Sequence, residues 1–172
     1  GILFLNAVHD SDVPVLDDCA ETLEARGPDM RRREIVDGAY FSFHRLAIND
    51  ISANGMQPFT TQDFVVICNG EIYNFHELRK LVPSGTLSST SDCEILGHLA
   101  QQFGFRTMLS MVEGVFALVY FDRRSRKFFV ARDAIGIKSL YVGVFKNRLV
   151  FASELKALSC ATSATMFPAG HF

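Results

Sequence analysis

The chain has 172 residues, of which 48% are hydrophobic, and a formal charge of −2 from 17 basic and 19 acidic side chains. This length suits one domain with a substantial core. The basic and acidic residues are well mixed, which argues against a nucleic-acid surface. The arginine-rich clusters at 31–33 and 123–126 are interpreted as solvated loops. No segment approaches the ~20 apolar residues that span a bilayer, so we expect a cytoplasmic protein that binds neither membrane nor nucleic acid.

Short strands and few helices follow one another along the chain, beginning with a strand in the apolar run 1–8. Leu16, Ala20 and Leu23 have helical spacing, which predicts a helix over 15–26 that ends at Gly27-Pro28. Further strands are predicted at 40–46, 64–68, 114–121, 127–131, 140–145 and 149–152, with a hairpin turn at 122–126. Many antiparallel strands with two or three helices indicate an α+β domain in which sheet packs on sheet and helices lie outside.

The segment 64–71 is the most informative, because five apolar residues are followed by Asn69-Gly70 and a carboxylate, Glu71. Asn69 can offer two side-chain N–H donors, and Gly70 lets the backbone approach a ligand closely, which suits the binding of an oxyanion. Asn-Gly is also a common hairpin turn. Here, however, Asn74 and Glu77 have the spacing of a helix N-cap and capping box. The sequence therefore predicts a strand, a polar turn and a short helix.

Two further polar residues complete a possible site. Arg45 follows an alternating strand and is interpreted either as a surface side chain or as a planar group for a carboxylate. Asp92 falls in the first turn of a helix predicted to begin at Ser91, with Ser91 and Glu94 as its capping box, where the helix dipole alone favours a carboxylate. Together they suggest a guanidinium for an α-carboxylate, Glu71 and Asp92 for an α-ammonium, and Asn69-Gly70 for an attacked side-chain carbonyl.

The cysteines and histidines do not indicate a metal site. Cys19, Cys68, Cys93 and Cys160 are spaced too widely for a CxxC signature, and the five histidines form no HxxxH pair. We interpret all four cysteines as reduced packing residues.

Several short motifs occur in a fixed order: RGPD at 26–29, FHRLAIND at 43–50, QPF at 57–59, NGEIYN at 69–74, TSDCE at 90–94, GVFALVYFD at 114–122, ARDAIGIKSLY at 131–141, ASELKAL at 152–158 and PAGH at 168–171. Over essentially the whole chain they resemble the glutaminase domain of glutamine-dependent asparagine synthetase. The resemblance implies the αββα sandwich of antiparallel sheets found in N-terminal-nucleophile (Ntn) hydrolases and class II glutamine amidotransferases.

The resemblance also implies a glutamine site. By matching positions, the site consists of Arg45 with the backbone of Leu46, Ala47, Ile48 and Asn49, together with Asn69, Gly70, Glu71 and Asp92. Asn69 and Gly70 match the oxyanion hole. In this family the nucleophile is a cysteine at the mature N-terminus, followed by a Gly-Ile type sequence, and this chain starts at Gly1-Ile2. We therefore expect the nucleophilic cysteine immediately before Gly1, with its thiol attacking the carboxamide and its α-amine relaying the proton.

The implied function is hydrolysis of glutamine to glutamate and ammonia for the ATP-dependent conversion of aspartate to asparagine. No SGG-type pyrophosphate loop occurs, so we expect residues 1–172 to be the amidotransferase domain alone, without a cofactor, and a separate synthetase domain or subunit to use ATP and Mg. Two alternatives stay open: an inert glutamine-binding regulatory domain, or a class II amidotransferase domain that serves another acceptor. Homodimer formation is a further expectation. The apolar run 161–172 is interpreted either as part of the junction with the synthetase domain or as a strand on its own core.

Overall fold

The computed structural model describes residues 1–47 and 50–169, and this part of the chain forms two antiparallel sheets with helices on their outer faces. The helices are α1 (Val13–Glu21), α2 (Phe75–Leu78), α3 (Glu94–Phe103) and α4 (Phe105–Met111). The strands are β1 (Ile2–Leu5), β2 (Met30–Val36), β3 (Ala39–Arg45), β4 (Phe59–Thr60), β5 (Phe64–Ile72), β6 (Gly114–Asp122), β7 (Lys127–Arg132), β8 (Tyr141–Phe145), β9 (Arg148–Ala152) and β10 (Ser163–Met166). The first sheet has the order β10-β8-β9-β1-β3-β2 and the second the order β4-β5-β6-β7.

Three apolar layers hold these elements together, and the middle layer lies between the two sheets. There Phe41 of β3 meets Phe121 of β6, with ring centroids 6.2 Å apart. Helix α1 covers the outer face of the first sheet, and α3 and α4 cover that of the second. Because β5 is buried on both faces, Phe64 packs among the helices and Val65 packs on the first sheet, which explains its unbroken apolar sequence. The predicted four-layer αββα sandwich is confirmed.

Most predicted strands agree with the structure to within one residue, namely those at 40–46, 114–121, 127–131, 140–145 and 149–152, and the hairpin turn at 122–126 is also confirmed. The first helix differs at both ends from the predicted helix over 15–26. It begins at Val13, because Pro14 is readily accommodated in the first turn, and it ends at Glu21, followed by a separate 3-10 turn, Glu24–Arg26.

The arginine run 31–33 was wrongly predicted to be a loop, because it lies in the edge strand β2. Alternate side chains of a strand share one face, so Arg31 and Arg33 both reach α1. Arg31 pairs with Glu21, and Nη1 of Arg33 lies 2.6 Å from Oδ2 of Asp17. Acidic residues on the facing helix therefore make a highly charged sequence compatible with a strand.

The prediction that the strand at 64–68 ends at Asn69-Gly70 is also wrong. Strand β5 continues to Ile72, with Asn69 opposite Ala117 and Gly70 opposite Phe116 of β6. Gly70 is required here by close packing, since a Cβ at this position would lie 2.4 Å from the carbonyl oxygen of Val115. The turn and the short helix α2 follow after Ile72.

Neither predicted capping box forms. The side chain of Asn74 accepts from the N–H of Glu113 and donates to the carbonyl of Met111, while Glu77 pairs with Lys80. Helix α3 begins at Glu94 and not at Ser91. The buried Glu94 carboxylate accepts hydrogen bonds from the backbone and hydroxyl groups of residues 88 and 89 at 2.6 to 2.8 Å. Both acidic side chains therefore have partners other than the helix ends.

The segment after residue 160 forms β10, which pairs with β8 and leaves its side chains exposed, while Phe167 packs against the layer between the sheets. Residues 163–166 are therefore a strand, but their exposed side chains do not pack on the core of the domain as that interpretation expected. The junction with a synthetase domain stays a prediction, and residues 170–172 lie outside the described ranges. Within 1–47 and 50–169, no helix has the length and apolar character needed to cross a membrane.

Candidate active site

One cavity of about 340 Å³ is lined by Gly1, the end of β3, the second half of β5 and the segment before α3. Six predicted site residues line it: Arg45, Leu46, Asn69, Gly70, Glu71 and Asp92. Ala47 is not among the lining residues, and its N–H donates to Oδ2 of Asp29 at 2.8 Å. The predicted residues Ile48 and Asn49 lie outside the described part of the chain. The fold thus brings these residues to one cavity, although Arg45 and Asp92 are 47 positions apart in the sequence.

Arg45 is the last residue of β3 and is only 5% exposed. Its Nη1 donates to the carbonyl of Ser52 at 2.7 Å, and its Nη2 lies 4.0 Å from Oδ1 of Asp50. These contacts fix the plane of the guanidinium at the cavity wall. A fixed planar cation with further N–H donors is suited to binding a carboxylate.

Asp50 also lines the cavity, although no sequence pattern assigned it a role. Its two oxygens accept from the N–H groups of Ser52 (2.7 Å) and Thr90 (2.9 Å). Burial by itself would raise the pKa of Asp50, but the hydrogen bonds from Ser52 and Thr90 outweigh it and hold the pKa at about 2. Gly55 packs against this pair so closely that a Cβ would lie 2.6 Å from Nη2 of Arg45. Asp50 therefore balances the charge of Arg45 and ties the segment before α3 to it.

Asn69 and Gly70 are adjacent on the cavity wall, in the second half of β5. The side-chain nitrogen Nδ2 of Asn69 is buried, and the described residues provide no hydrogen-bond acceptor for it. Leaving a buried donor unpaired costs about 1 to 3 kcal/mol, so this position favours a ligand that brings an acceptor. Gly70 follows Asn69 directly in β5 and lines the same cavity.

Two carboxylates, those of Glu71 and Asp92, line the same cavity. Asp92 lies two residues before α3 and not in its first turn, and its Oδ2 accepts from the N–H of Ile72 at 2.6 Å. This bond holds Asp92 against β5 next to Glu71. The pair supplies negative charge on the cavity wall, which suits an ammonium group.

The nitrogen of Gly1 also lies at the cavity. It donates to the carbonyl of His44, the N–H of His44 donates back to the carbonyl of Gly1 at 2.9 Å, and the N–H of Ile2 donates to Oγ of Ser153 at 3.0 Å. A residue joined to this nitrogen would extend the chain at the cavity wall.

Arg26 and Lys138 are two cationic cavity residues without a predicted role. Nη1 of Arg26 lies 3.1 Å from Oε1 of Glu154. Lys138 is held by its backbone, because its N–H donates to Oδ2 of Asp133 at 3.1 Å and its carbonyl accepts from Nε of Arg132 at 2.8 Å. Both cations lie inside motifs that carry the family resemblance, 26–29 and 131–141, and this is the signal that could have identified them.

The described cysteines are all free, and the described residues contain no group of three or more His, Cys, Asp or Glu side chains that could hold a metal ion. Cys68 and Cys93 line the cavity. A hydrogen bond with Cys68 and burial raise the pKa of the Cys93 thiol, which keeps it protonated near neutral pH. Since the thiolate is the nucleophilic form, Cys93 is poorly suited to attack a substrate.

Solved structures with the same fold are found at low sequence identity. Glutamine phosphoribosylpyrophosphate amidotransferase from B. subtilis has a TM-score of 0.78 at 18% identity, over 96% of this chain and 44% of that one. A structure described as the allosteric regulatory enzyme of purine biosynthesis has a TM-score of 0.76 at 20% identity, again over 96% and 44% of the two chains. These matches establish the shared architecture, the Ntn-hydrolase fold of glutamine amidotransferases.

Closer relatives are found by sequence. Asparagine synthetase 2 (glutamine-hydrolyzing) of Bacillus subtilis is 38% identical over 162 residues, which cover 92% of this chain and 21% of the relative. Asparagine synthetase 1 (glutamine-hydrolyzing) of Arabidopsis thaliana is 41% identical over 155 residues, 87% of this chain and 26% of the relative. The chain thus spans about a quarter or less of each relative's length. Residues 1–167 match the family model described as a glutamine amidotransferase domain, and the chain belongs to this family.

Proposed function

We propose that this domain hydrolyses the side-chain amide of glutamine, with a cysteine directly before Gly1 as the nucleophile. The observation that carries the proposal is the buried Nδ2 of Asn69, which has no acceptor among the described residues and lies on a cavity that Gly1 also lines. Such a donor suits the negative charge that develops on a carboxamide oxygen under attack. A thiol attached before Gly1 would lie at the same cavity wall.

The proposed roles follow from the charges around the cavity. Arg45 binds the α-carboxylate of glutamine, and Glu71 and Asp92 bind its α-ammonium. The cysteine sulfur attacks the amide carbon, and Asn69 and Gly70 stabilise the oxyanion. Ammonia leaves with a proton relayed by the α-amine of the cysteine, and water then hydrolyses the thioester to release glutamate and the free thiol. The domain itself needs no cofactor for these steps.

We further propose that the ammonia serves the conversion of aspartate to asparagine by a synthetase domain or subunit that uses ATP and Mg. The names of the relatives at 38% and 41% identity support this acceptor, and the small share of their length that the chain covers leaves room for such a partner. An inert domain and another acceptor are the alternatives that the experiment below addresses. The cytoplasmic location and homodimer formation stay predictions.

The test compares the chain that begins at Gly1 with a chain that carries one free cysteine before it. Only the second is expected to release ammonia from glutamine, because only it has the thiol and its amine. A chain with serine before Gly1 is the matched control, since it keeps the amine and the length. Ammonia is measured by an enzyme-coupled assay.

Equal ammonia release with and without the cysteine would contradict the proposed nucleophile. No release from a folded, glutamine-binding chain with the cysteine would favour the inert alternative. Addition of the synthetase domain with ATP, Mg and aspartate tests the acceptor. Failure to form asparagine from an active glutaminase would favour another acceptor.

Substitutions of the charged residues test the binding roles. Arg45→Lys keeps the charge but loses the planar group, and Asp92→Asn keeps the shape but loses the charge. Each is expected to weaken glutamine binding by about 1.5 to 3 kcal/mol, because a hydrogen bond to a charged group is lost. Calorimetric titration with glutamine measures this, and wild-type affinity in both folded variants would show that neither side chain contacts the ligand.

A further inference from the structure

We propose that Gln57 is a positioning residue for the oxyanion hole. Its side-chain amide completes the hydrogen bonding of β5 at Cys68, directly before Asn69. The N–H of Gly70 is then the donor on that edge of the strand that has no acceptor within residues 1–47 and 50–169. This inference rests on the proposed function, because it concerns the donors that would hold the oxyanion.

Gln57 is 5% exposed and lines the cavity. Its Nε2 donates to the carbonyl of Cys68 at 2.9 Å, and its Oε1 accepts from the N–H of Cys68 at 2.6 Å. These are the two hydrogen bonds that a neighbouring strand would make. Strand β4 pairs with β5 at Phe59 opposite Val66, and the same register continued by two residues places Gln57 opposite Cys68. The side chain of Gln57 therefore replaces β4 at the point where β4 ends.

The direction of the Cys68 backbone groups determines which way Gly70 points. In an antiparallel strand the N–H and C=O groups of successive residues point to alternate edges, so those of Cys68, Gly70 and Ile72 point to the same edge, away from β6. Two contacts agree with this. Sγ of Cys93 lies 3.9 Å from the carbonyl of Gly70, and the N–H of Ile72 donates to Asp92.

The N–H groups of Cys68, Gly70 and Ile72 along this edge differ in whether a hydrogen-bond acceptor is present. That of Cys68 is bound by Gln57 and that of Ile72 by Asp92. For the N–H of Gly70, residues 1–47 and 50–169 show no acceptor. Gly70 follows Asn69 in the chain, both residues line the cavity, and Nδ2 of Asn69 also has no acceptor among the described residues, so the two donors together suit one oxyanion. The bonds on both sides fix the strand that presents them.

Removal of the Gln57 amide would leave the N–H and C=O of Cys68 buried and unpaired, and a shift of the strand to relieve this would move the Gly70 donor. Misplacement of a catalytic group by about 1 Å can cost about a hundredfold in rate. In the chain with a cysteine before Gly1, Gln57→Leu is therefore expected to lower kcat by about tenfold to a hundredfold. KM for glutamine is expected to change little, because Arg45 and the two carboxylates are untouched.

Gln57→Glu distinguishes a role of Gln57 in hydrogen bonding to Cys68 from a role in packing alone. A neutral carboxyl group can donate and accept as the amide does, whereas a carboxylate cannot donate to the carbonyl of Cys68. Burial next to that carbonyl raises the pKa of the new carboxyl group. The ratio of kcat in this variant to kcat in the parent is therefore expected to rise as the pH falls through that pKa.

Gln101→Leu is the matched control, because Gln101 is an exposed glutamine that donates to Asp63 and does not line the cavity. Its kcat is expected to equal that of the parent. The backbone amide signal of Gly70 in a nitrogen-15 NMR spectrum gives a readout that does not require activity, and it is expected to move in Gln57→Leu but not in Gln101→Leu.

An unchanged kcat and an unchanged Gly70 signal in folded Gln57→Leu would overturn the role of Gln57. The role of Gln57 would also be overturned if the kcat ratio for Gln57→Glu did not vary with pH. This second test remains available if Gln57→Leu does not fold. If the parent itself releases no ammonia, the proposed function fails, and the Gly70 signal alone decides whether Gln57 positions this donor.

Discussion

Asn69→Ala, in the chain with a cysteine before Gly1, is expected to lower kcat for glutamine hydrolysis by about 10² to 10³-fold, the usual cost of removing one oxyanion donor. KM is expected to change little, because the amide contacts charge that develops in the transition state and not in bound glutamine. The backbone of β5 keeps its pairing with β6 in this variant, since Asn69 contributes only main-chain groups to that pairing.

Steady-state kinetics over a range of glutamine concentrations separate these two effects. Asn54→Ala is a suitable control, because Asn54 is exposed and does not line the cavity. Unchanged kcat in folded Asn69→Ala would mean that the unpaired Nδ2 has no part in the reaction. A rise in KM alone would instead assign Asn69 to ground-state binding.

Asp12→Asn is expected to lower the free energy of unfolding by about 3 kcal/mol at pH 7, because it removes the charge of a buried carboxylate that pairs with two cations. Asp12 is 1% exposed, and its oxygens lie 2.7 Å from Nζ of Lys146 and 2.8 Å from Nη1 of Arg148. The N–H of His9 also donates to it at 3.0 Å. The network joins the turn before α1 to the β8–β9 hairpin.

The effect should depend on pH in a defined direction. The hydrogen bond from Arg148 lowers the pKa of Asp12 well below its ordinary value, despite burial. A carboxyl group with a depressed pKa in the folded state stabilises the protein above its unfolded pKa, about 3.9, and this contribution is lost as the pH falls further. The difference between parent and variant is therefore expected to be constant from pH 8 to about 5 and to shrink below about 4.

Urea denaturation at several pH values measures this difference. Asp10→Asn is the matched control, since Asp10 is an exposed carboxylate in the same 3-10 turn, and it is expected to change stability by less than about 0.5 kcal/mol. Equal stability of Asp12→Asn and the parent at pH 7 would show that desolvation of the three charges cancels their attraction.

The layers of the fold could be predicted because apolar periodicity reflects burial directly. Both faces of β5 are covered, so its sequence is apolar without interruption from Phe64 to Cys68. The extension of β5 to Ile72 could not be predicted, because Asn69 and Gly70 are turn-forming residues and their pairing with β6 is a long-range contact. Strand β2 was missed because its arginines indicate a solvated loop, and the acidic residues of α1 that pair with them are brought close only by the fold.

The residues of the candidate site also divide into those that the sequence identified and those that it did not. Arg45, Asn69, Gly70 and Glu71 were identified at the ends of predicted apolar strands, and Asp92 at the start of a predicted helix. The structure brings these five residues to one cavity. Asp50 and Gln57 had only the signal of lying inside the motifs 43–50 and 57–59, which carry the family resemblance but assign them no role. Their roles depend on backbone groups of residues far along the chain, Thr90 for Asp50 and Cys68 for Gln57, and a sequence pattern does not reveal contacts of that kind.

The arginines of β2 also protect the outer edge of the first sheet. An edge strand presents unpaired N–H and C=O groups that can recruit a strand from another molecule, and charged side chains with fixed partners oppose such pairing. Strand β10 at the opposite edge has small or neutral side chains, Ser163, Ala164, Thr165 and Met166. Aggregation or assembly by strand addition to this sheet is therefore disfavoured at β2 and is directed toward β10.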